Sequence, residues 1–165
     1  MPQLLNLIAI TVRDYDEAIA FYTQKLGWDL LEDTDRGGGK RWVRVGPPGS
    51  EGGRTPSSVP TSSGHLLPQG GEGAEPRPPS EDRRTAHGAG LLLAKAKNEA
   101  ELASVGNQTG GRVFLFVETD DLARDYAALS ARGVEFTRPP TEADFGSAAV
   151  FKDLYGNLFD LIQRK

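Results

Sequence analysis

The chain resembles itself. Moving it along its own sequence by 107 positions lays Ile10 on Val117, Tyr15 on Leu122, Ile19 on Tyr126 and Tyr22 on Leu129, and brings Gly27 within one residue of Gly133. Each copy reads as a strand, a helix and three further strands. A unit of that kind carries a curling sheet that needs its twin to bury it, so the repeat restricts the chain to two small modules packed as one domain.

The residue patterns place the elements. From Leu4 to Val12 the side chains split into Leu4, Ile8, Ile10 and Val12 on one face and Leu5, Leu7, Ala9 and Thr11 on the other, which predicts a strand buried on both sides. Asp14 stands as an N-cap with Glu17 in capping-box relation to it. Tyr15, Ala18, Ile19, Tyr22 and Leu26 form one helical stripe that ends at Gly27. Strands are predicted over Trp28 to Glu32 and Arg41 to Val45, joined by a turn over Asp33 to Gly39. Further strands are expected at Leu91 to Ala96, Arg112 to Thr119, Val134 to Thr137, Ala148 to Lys152 and Leu158 to Gln163. Asn98 to Val105 reads as a short helix or turn. A second long helix begins at Asp120 as cap and closes at Gly133, and Asp153 to Asn157 has tight-turn composition.

One stretch breaks the pattern. Between Pro47 and Gly90 stand 9 Gly, 8 Pro and none of the 13 aromatic residues. Such a segment is too poor in apolar side chains to offset its ordering entropy, and it reads as a flexible insertion. The expected organisation is a single domain, 1–165, with a first module over 1–96 that contains the 47–90 insertion. A linker over 97–110 leads to a second module over 111–165.

Composition removes several function classes. The chain has no cysteine, which excludes a disulfide framework, a thiolate metal site and a cysteine nucleophile. Its 19 basic and 23 acidic residues are well mixed, so no basic stripe for nucleic acid is expected. The first residues show neither a basic n-region nor an apolar run long enough for a span. A cytoplasmic protein without membrane partners is the expectation.

The segments Ile10 to Asp14, Glu17-Ala18, Phe21-Tyr22, Leu26-Gly27, Ala131 to Phe136, Phe151 to Asp153 and Tyr155 to Leu158 resemble the glyoxalase, bleomycin-resistance protein and extradiol dioxygenase superfamily, the vicinal oxygen chelate proteins. The likeness spans nearly everything outside 47–90. It implies an α+β fold of two βαβββ modules forming a cup-shaped mixed sheet around a small ligand, often with a divalent metal at the cup's floor, and frequently a homodimer. The family's metal positions lie on the first and last strands of each half. Here they fall on Leu7, on the run Leu91 to Leu93, on Phe114 and on Asp160, so one oxygen donor remains where a catalytic cation needs about three. His65 and His87 both lie in the insertion; His87, just ahead of the strand at Gly90, joins Asp160 and Glu118 as a candidate ligand.

By strand parity the cup is lined by Leu7, Ala9 and Thr11, by Phe114, Phe116 and Glu118, and by Leu158, Asp160 and Ile162. That is an apolar pocket with two carboxylates and one hydroxyl. Glu118 and Asp160 are the candidate catalytic groups, since a buried carboxylate there would serve as general base or pair with a cationic ligand. Arg41 or Lys40 is an alternative, structural partner for Asp160. Leu7, Thr11, Arg41, Trp42, Gln108, Phe114 and Phe116 are the candidate ligand contacts. Arg41 and Trp42 would clamp an anionic or aromatic ligand at the rim, and Gln108 would reach the mouth from the Gly-rich linker.

Three readings fit these residues. The first is a small-molecule binder without the usual complete metal site. The second is a metal-dependent lyase or dioxygenase with a relocated site, and the third is a non-enzymatic module that captures a partner through the insertion.

Overall fold

In the computed structural model residues 5–50 and 89–165 are described; His65 and His87 lie outside them. The element order is β1 (Leu7–Val12), α1 (Tyr15–Ala20) running into a π-helical turn (Phe21–Lys25), β2 (Asp29–Asp35), β3 (Arg41–Gly46), β4 (Gly90–Lys95), α2 (Glu99–Ser104), β5 (Val113–Glu118), α3 (Leu122–Ala131), β6 (Phe136–Ala143), β7 (Gly146–Lys152) and β8 (Leu158–Arg164). They form two four-stranded sheets of identical topology, ordered β1-β4-β3-β2 and β5-β8-β7-β6. In each, the first strand is parallel to the last and the remaining pairs are antiparallel. Two βαβββ modules are therefore present. The expected linker contains α2, a two-turn helix capped by Asn98.

Local chemistry explains the element ends, with some corrections to the sequence reading. Asp14 does cap α1, its Oδ1 accepting from the Asp16 and Glu17 amides at 2.9 and 3.3 Å. Glu17 does not return to the Asp14 amide as a capping box requires; it accepts from the Tyr155 hydroxyl at 2.6 Å, and that hydroxyl takes the Asp14 amide. Asp121, not Asp120, caps α3 by accepting from the Arg124 amide at 2.9 Å. β2 runs on to Asp35, through the first residues of the expected turn. β6 runs on to Ala143 past Pro139 and Pro140, which an outermost strand tolerates because its outer N–H positions need no partner; the β6–β7 register breaks around them.

Each sheet has one face under helices and one that no helix covers, although on the second sheet Ala148, Val150 and Ile162 of that face are still buried. Ile10, Val12, Val43, Val45, Leu91 and Leu93 on the first sheet and Ala149, Phe151, Phe159 and Leu161 on the second belong to a single buried cluster with Tyr15, Ala18 and Tyr22. The modules thus pack through their helix-side faces. Aromatic rings continue across the seam: Tyr22 to Trp28 at 5.4 Å, Trp28 to Phe159 at 6.4 Å, Phe159 to Phe151 at 5.2 Å.

The seam also holds a buried carboxylate. Asp153 Oδ1 accepts from the backbone amides of Tyr155, Gly156 and Asn157 at 2.9, 2.9 and 2.8 Å. Its Oδ2 accepts from the Asn157 side-chain amide at 2.8 Å and from the Tyr22 hydroxyl, in the other module, at 3.0 Å. Asp153 is 5 % exposed and Tyr22 is fully buried. Burial first, and then the Asp153 charge, push the Tyr22 phenol well above its ordinary value of 10.0.

Two outcomes are expected. Asp153→Ala strands several buried donors and costs on the order of 4 kcal/mol in urea denaturation, against about 1 kcal/mol for Tyr22→Phe, which loses a single hydrogen bond. For the phenol the neutral form is favoured in the fold, so its contribution is complete below pH 10.0 and is lost as pH rises from there toward the raised folded value. Stability measured from pH 8 to 12 falls in the parent, and the fall is smaller in Tyr22→Phe.

Candidate functional site

The open face of the first sheet carries Leu7, Ala9 and Thr11 of β1, Leu92 and Ala94 of β4, Trp42 and Arg44 of β3, and Glu32 of β2, as the pairing registers dictate. Arg44 ion-pairs with Glu32 at 3.4 Å, and the Arg36 guanidinium lies 6.0 Å from the Trp42 ring centre. The open face of the second sheet carries Phe116 and Glu118 of β5, with Asp160 and Ile162 of β8 directly across from them. Strand parity in the sequence anticipates this division.

Three candidate ligand contacts do not stand with these groups. Consecutive strand residues point to opposite faces, so Arg41 leaves Trp42 and turns to the helix side. There it binds Asp33 and Asp16, lies 5.3 Å from the Tyr15 ring centre, and holds the Asp33 carboxyl below its usual range. Phe114 is the extra residue of an irregularity between Val113 and Leu115, and its ring packs edge-on to Phe159 at 6.1 Å rather than lining the open face. Gln108 is fully engaged. Its Oε1 accepts the Thr11 amide at 3.3 Å, its Nε2 donates to the Ser104 carbonyl at 2.8 Å, and its own amide donates to Asn157 Oδ1 at 3.2 Å.

The two carboxylates share a face but are each already paired. Asp160 accepts from Arg138 at 3.2 Å, a partner on β6 in place of the Arg41 or Lys40 considered from sequence. Its side chain is 13 % exposed. Glu118 pairs with Arg164 and is 61 % exposed, so it lacks the burial that a general-base role there requires. The metal positions carry no better donors: Leu7, Leu91 to Leu93 and Phe114 have none. Among the described residues no three His, Cys, Asp or Glu side chains converge. The described donors do not fit a divalent metal.

Two adjoining hollows lie at the seam. The larger, about 550 Å³, is walled by Leu26 to Trp28 and Pro47-Pro48 of the first module and by Val117 to Asp120, Phe151, Leu161, the α3 residues Arg124, Asp125 and Leu129, and Arg132 at the end of α3. The smaller, about 240 Å³, adds Ile8, Leu91, Leu115 and Phe116. Both share Trp28, Pro47, Val117 and Glu118. Sequence reasoning missed Trp28 and Arg132, because each belongs to a loop end in its own module and gains meaning only from the other.

Relatives of the whole chain exist. A protein of Shewanella frigidimarina is 43 % identical over 164 residues, covering 99 % of this chain and 95 % of its own. YurT of Bacillus subtilis is 28 % identical over 156 residues, covering 94 % and 95 %. Among solved structures, UcmS2 superposes with a TM-score of 0.65 at 25 % identity and covers 98 % of both chains. TnmS3, an antibiotic binding protein from a Streptomyces species, shares the fold with a TM-score of 0.62 at 24 % identity over 99 % of this chain and 98 % of its own. The family model of the Glyoxalase/Bleomycin resistance protein/Dioxygenase superfamily matches residues 4–161, and with two βαβββ modules in place the chain belongs to that superfamily.

Proposed function

We propose that the protein binds a small, largely apolar organic molecule against the open faces of its sheets, without a complete metal site. The observation that carries this reading is Phe116. Its ring is 65 % exposed on the face no helix covers, directly across from Asp160 in the β5–β8 register. An aromatic side chain held in water on a rigid strand is a binding anchor, and a neighbouring carboxylate already fixed by Arg138 gives orientation. Thr11, Leu7 and Trp42 play the corresponding part on the first sheet. The antibiotic-binding description of TnmS3 agrees with a sequestering role.

We further infer a homodimer. β1 and β5 are end strands of their sheets, and a second copy would cover them and close the cup. Among the described residues no helix is long and apolar enough to cross a membrane.

Binding of the neutral dye Nile red tests the site. Phe116→Ala is expected to weaken it about tenfold, near 1.4 kcal/mol, with thermal stability unchanged because the ring is exposed. Unchanged affinity would refute Phe116 as an anchor. Metal analysis of protein purified without tags or chelators should find no stoichiometric Ni, Zn, Fe or Mn; finding one would overturn the metal-free reading. Light scattering should give twice the chain mass.

A further inference from the structure

Two carboxylates of the second module are largely shielded from water, and they differ in how far they are satisfied. Both oxygens of Asp153 are filled by donors. Asp160 makes a single bond: its Oδ1 accepts from Arg138 Nη2 at 3.2 Å, and among the described residues its Oδ2 receives no donor. Yet the Asp160 side chain is only 13 % exposed. Its neighbours on that face are apolar, since Val150 directly across the β7–β8 ladder and Ile162 two residues on are both buried. An acceptor so placed gains more from an added donor than one standing in free water.

The charges on this face balance. Arg138 answers Asp160, and Arg164 answers Glu118. A charged ligand is attracted by one member of each pair and repelled by the other, whereas a neutral group with a donor beside an acceptor can satisfy both. Arg138 supplies the second half of that pattern. Its side chain is 53 % exposed, and Asp160 engages one nitrogen of a guanidinium that has further N–H groups to offer. An open acceptor on Asp160 therefore stands beside open donors on Arg138. Phe116 lies across the β5–β8 ladder, about 4.8 Å away at strand spacing, so a ring resting on it brings its edge to the ion pair. Glu118 offers no equivalent, because at 61 % exposure its carboxylate stands in water.

We propose that the ligand of this face is a planar aromatic amide or lactam, its N–H donating to Asp160 Oδ2, its C=O accepting from Arg138 and its ring against Phe116. This assignment names the ligand class for the open-face reading above and rests on it.

The test displaces Nile red from the full chain with naphthalene-2-carboxamide and with methyl naphthalene-2-carboxylate, which keeps the ring and the carbonyl but has no N–H. The amide should displace the dye at about one-tenth of the concentration that the ester needs, the worth of one hydrogen bond to a charged acceptor. Asp160→Asn should bring the two competitors together: Arg138 then holds the side-chain oxygen, and an NH2 group faces the ligand where an acceptor stood. A general loss of structure would weaken both competitors alike and leave their ratio unchanged. Equal displacement in the parent, or an amide preference that survives Asp160→Asn, would overturn the assignment; the open-face reading then stands as long as Phe116→Ala still weakens the dye. If Phe116→Ala leaves the dye's affinity as it was, the open-face reading falls and takes this assignment with it.

Discussion

Asp153 is almost wholly buried, and a carboxyl group there is tolerable only because five donors surround it. Four of those donors come from its own turn, so the β7–β8 connection is a preformed carboxylate cradle. The fifth is the Tyr22 hydroxyl of the opposite module. Docking of the halves is thereby tied to a geometric condition that bulk apolar contact does not impose. If the first module slides by an ångström, Tyr22 loses its acceptor in a place where no water can replace it. The aromatic run from Tyr22 through Trp28 to Phe159 supplies the adhesion, and Asp153 supplies the register.

That division assigns roles to the sheet faces. Helix-side faces are consumed in holding the modules together, and the proposed function rests on the faces that remain. The seam hollow is what the docking leaves unfilled where α3 meets Leu26 to Trp28. Arg132 reaches its edge because the first helix finishes in Gly27, bare enough to admit the other module's guanidinium. One packing event therefore creates both the core and a cleft.

Much of this was legible in the residues, and the misses have identifiable causes. The 107-residue repeat announces two modules, and parity in β1 and β8 assigns faces correctly because those strands are regular. Parity fails at Phe114, where an extra residue in β5 resets the alternation; no side-chain pattern marks a single irregularity. The Arg41-Trp42 pair misled for the opposite reason: treating neighbours as one clamp ignores that a strand sends them to opposite sides. Asp120 and Asp121 are equally good caps by type, and the choice follows from Arg124 taking Asp120 as its ion pair. Gln108 stands in a Gly-rich linker, and nothing in its neighbours' sequence marks what it binds. Its engagement with Thr11, Ser104 and Asn157 depends on the docking of three distant segments.

The four outer strands bear on how the molecule resists edge-to-edge pairing with other copies of itself. β2 is laced with Asp29, Glu32, Asp33 and Asp35, so like charges repel an incoming strand. β6 contains Pro139 and Pro140, which cannot complete a ladder. On β1 the Gln108 side chain already occupies the Thr11 amide. β5, Val-Phe-Leu-Phe-Val-Glu, carries none of these deterrents among the described residues and has high β-propensity with one charge at its end. Uncontrolled assembly, when the protein is heated or concentrated, should therefore begin along β5, and whatever covers that strand protects the chain against fibrous association.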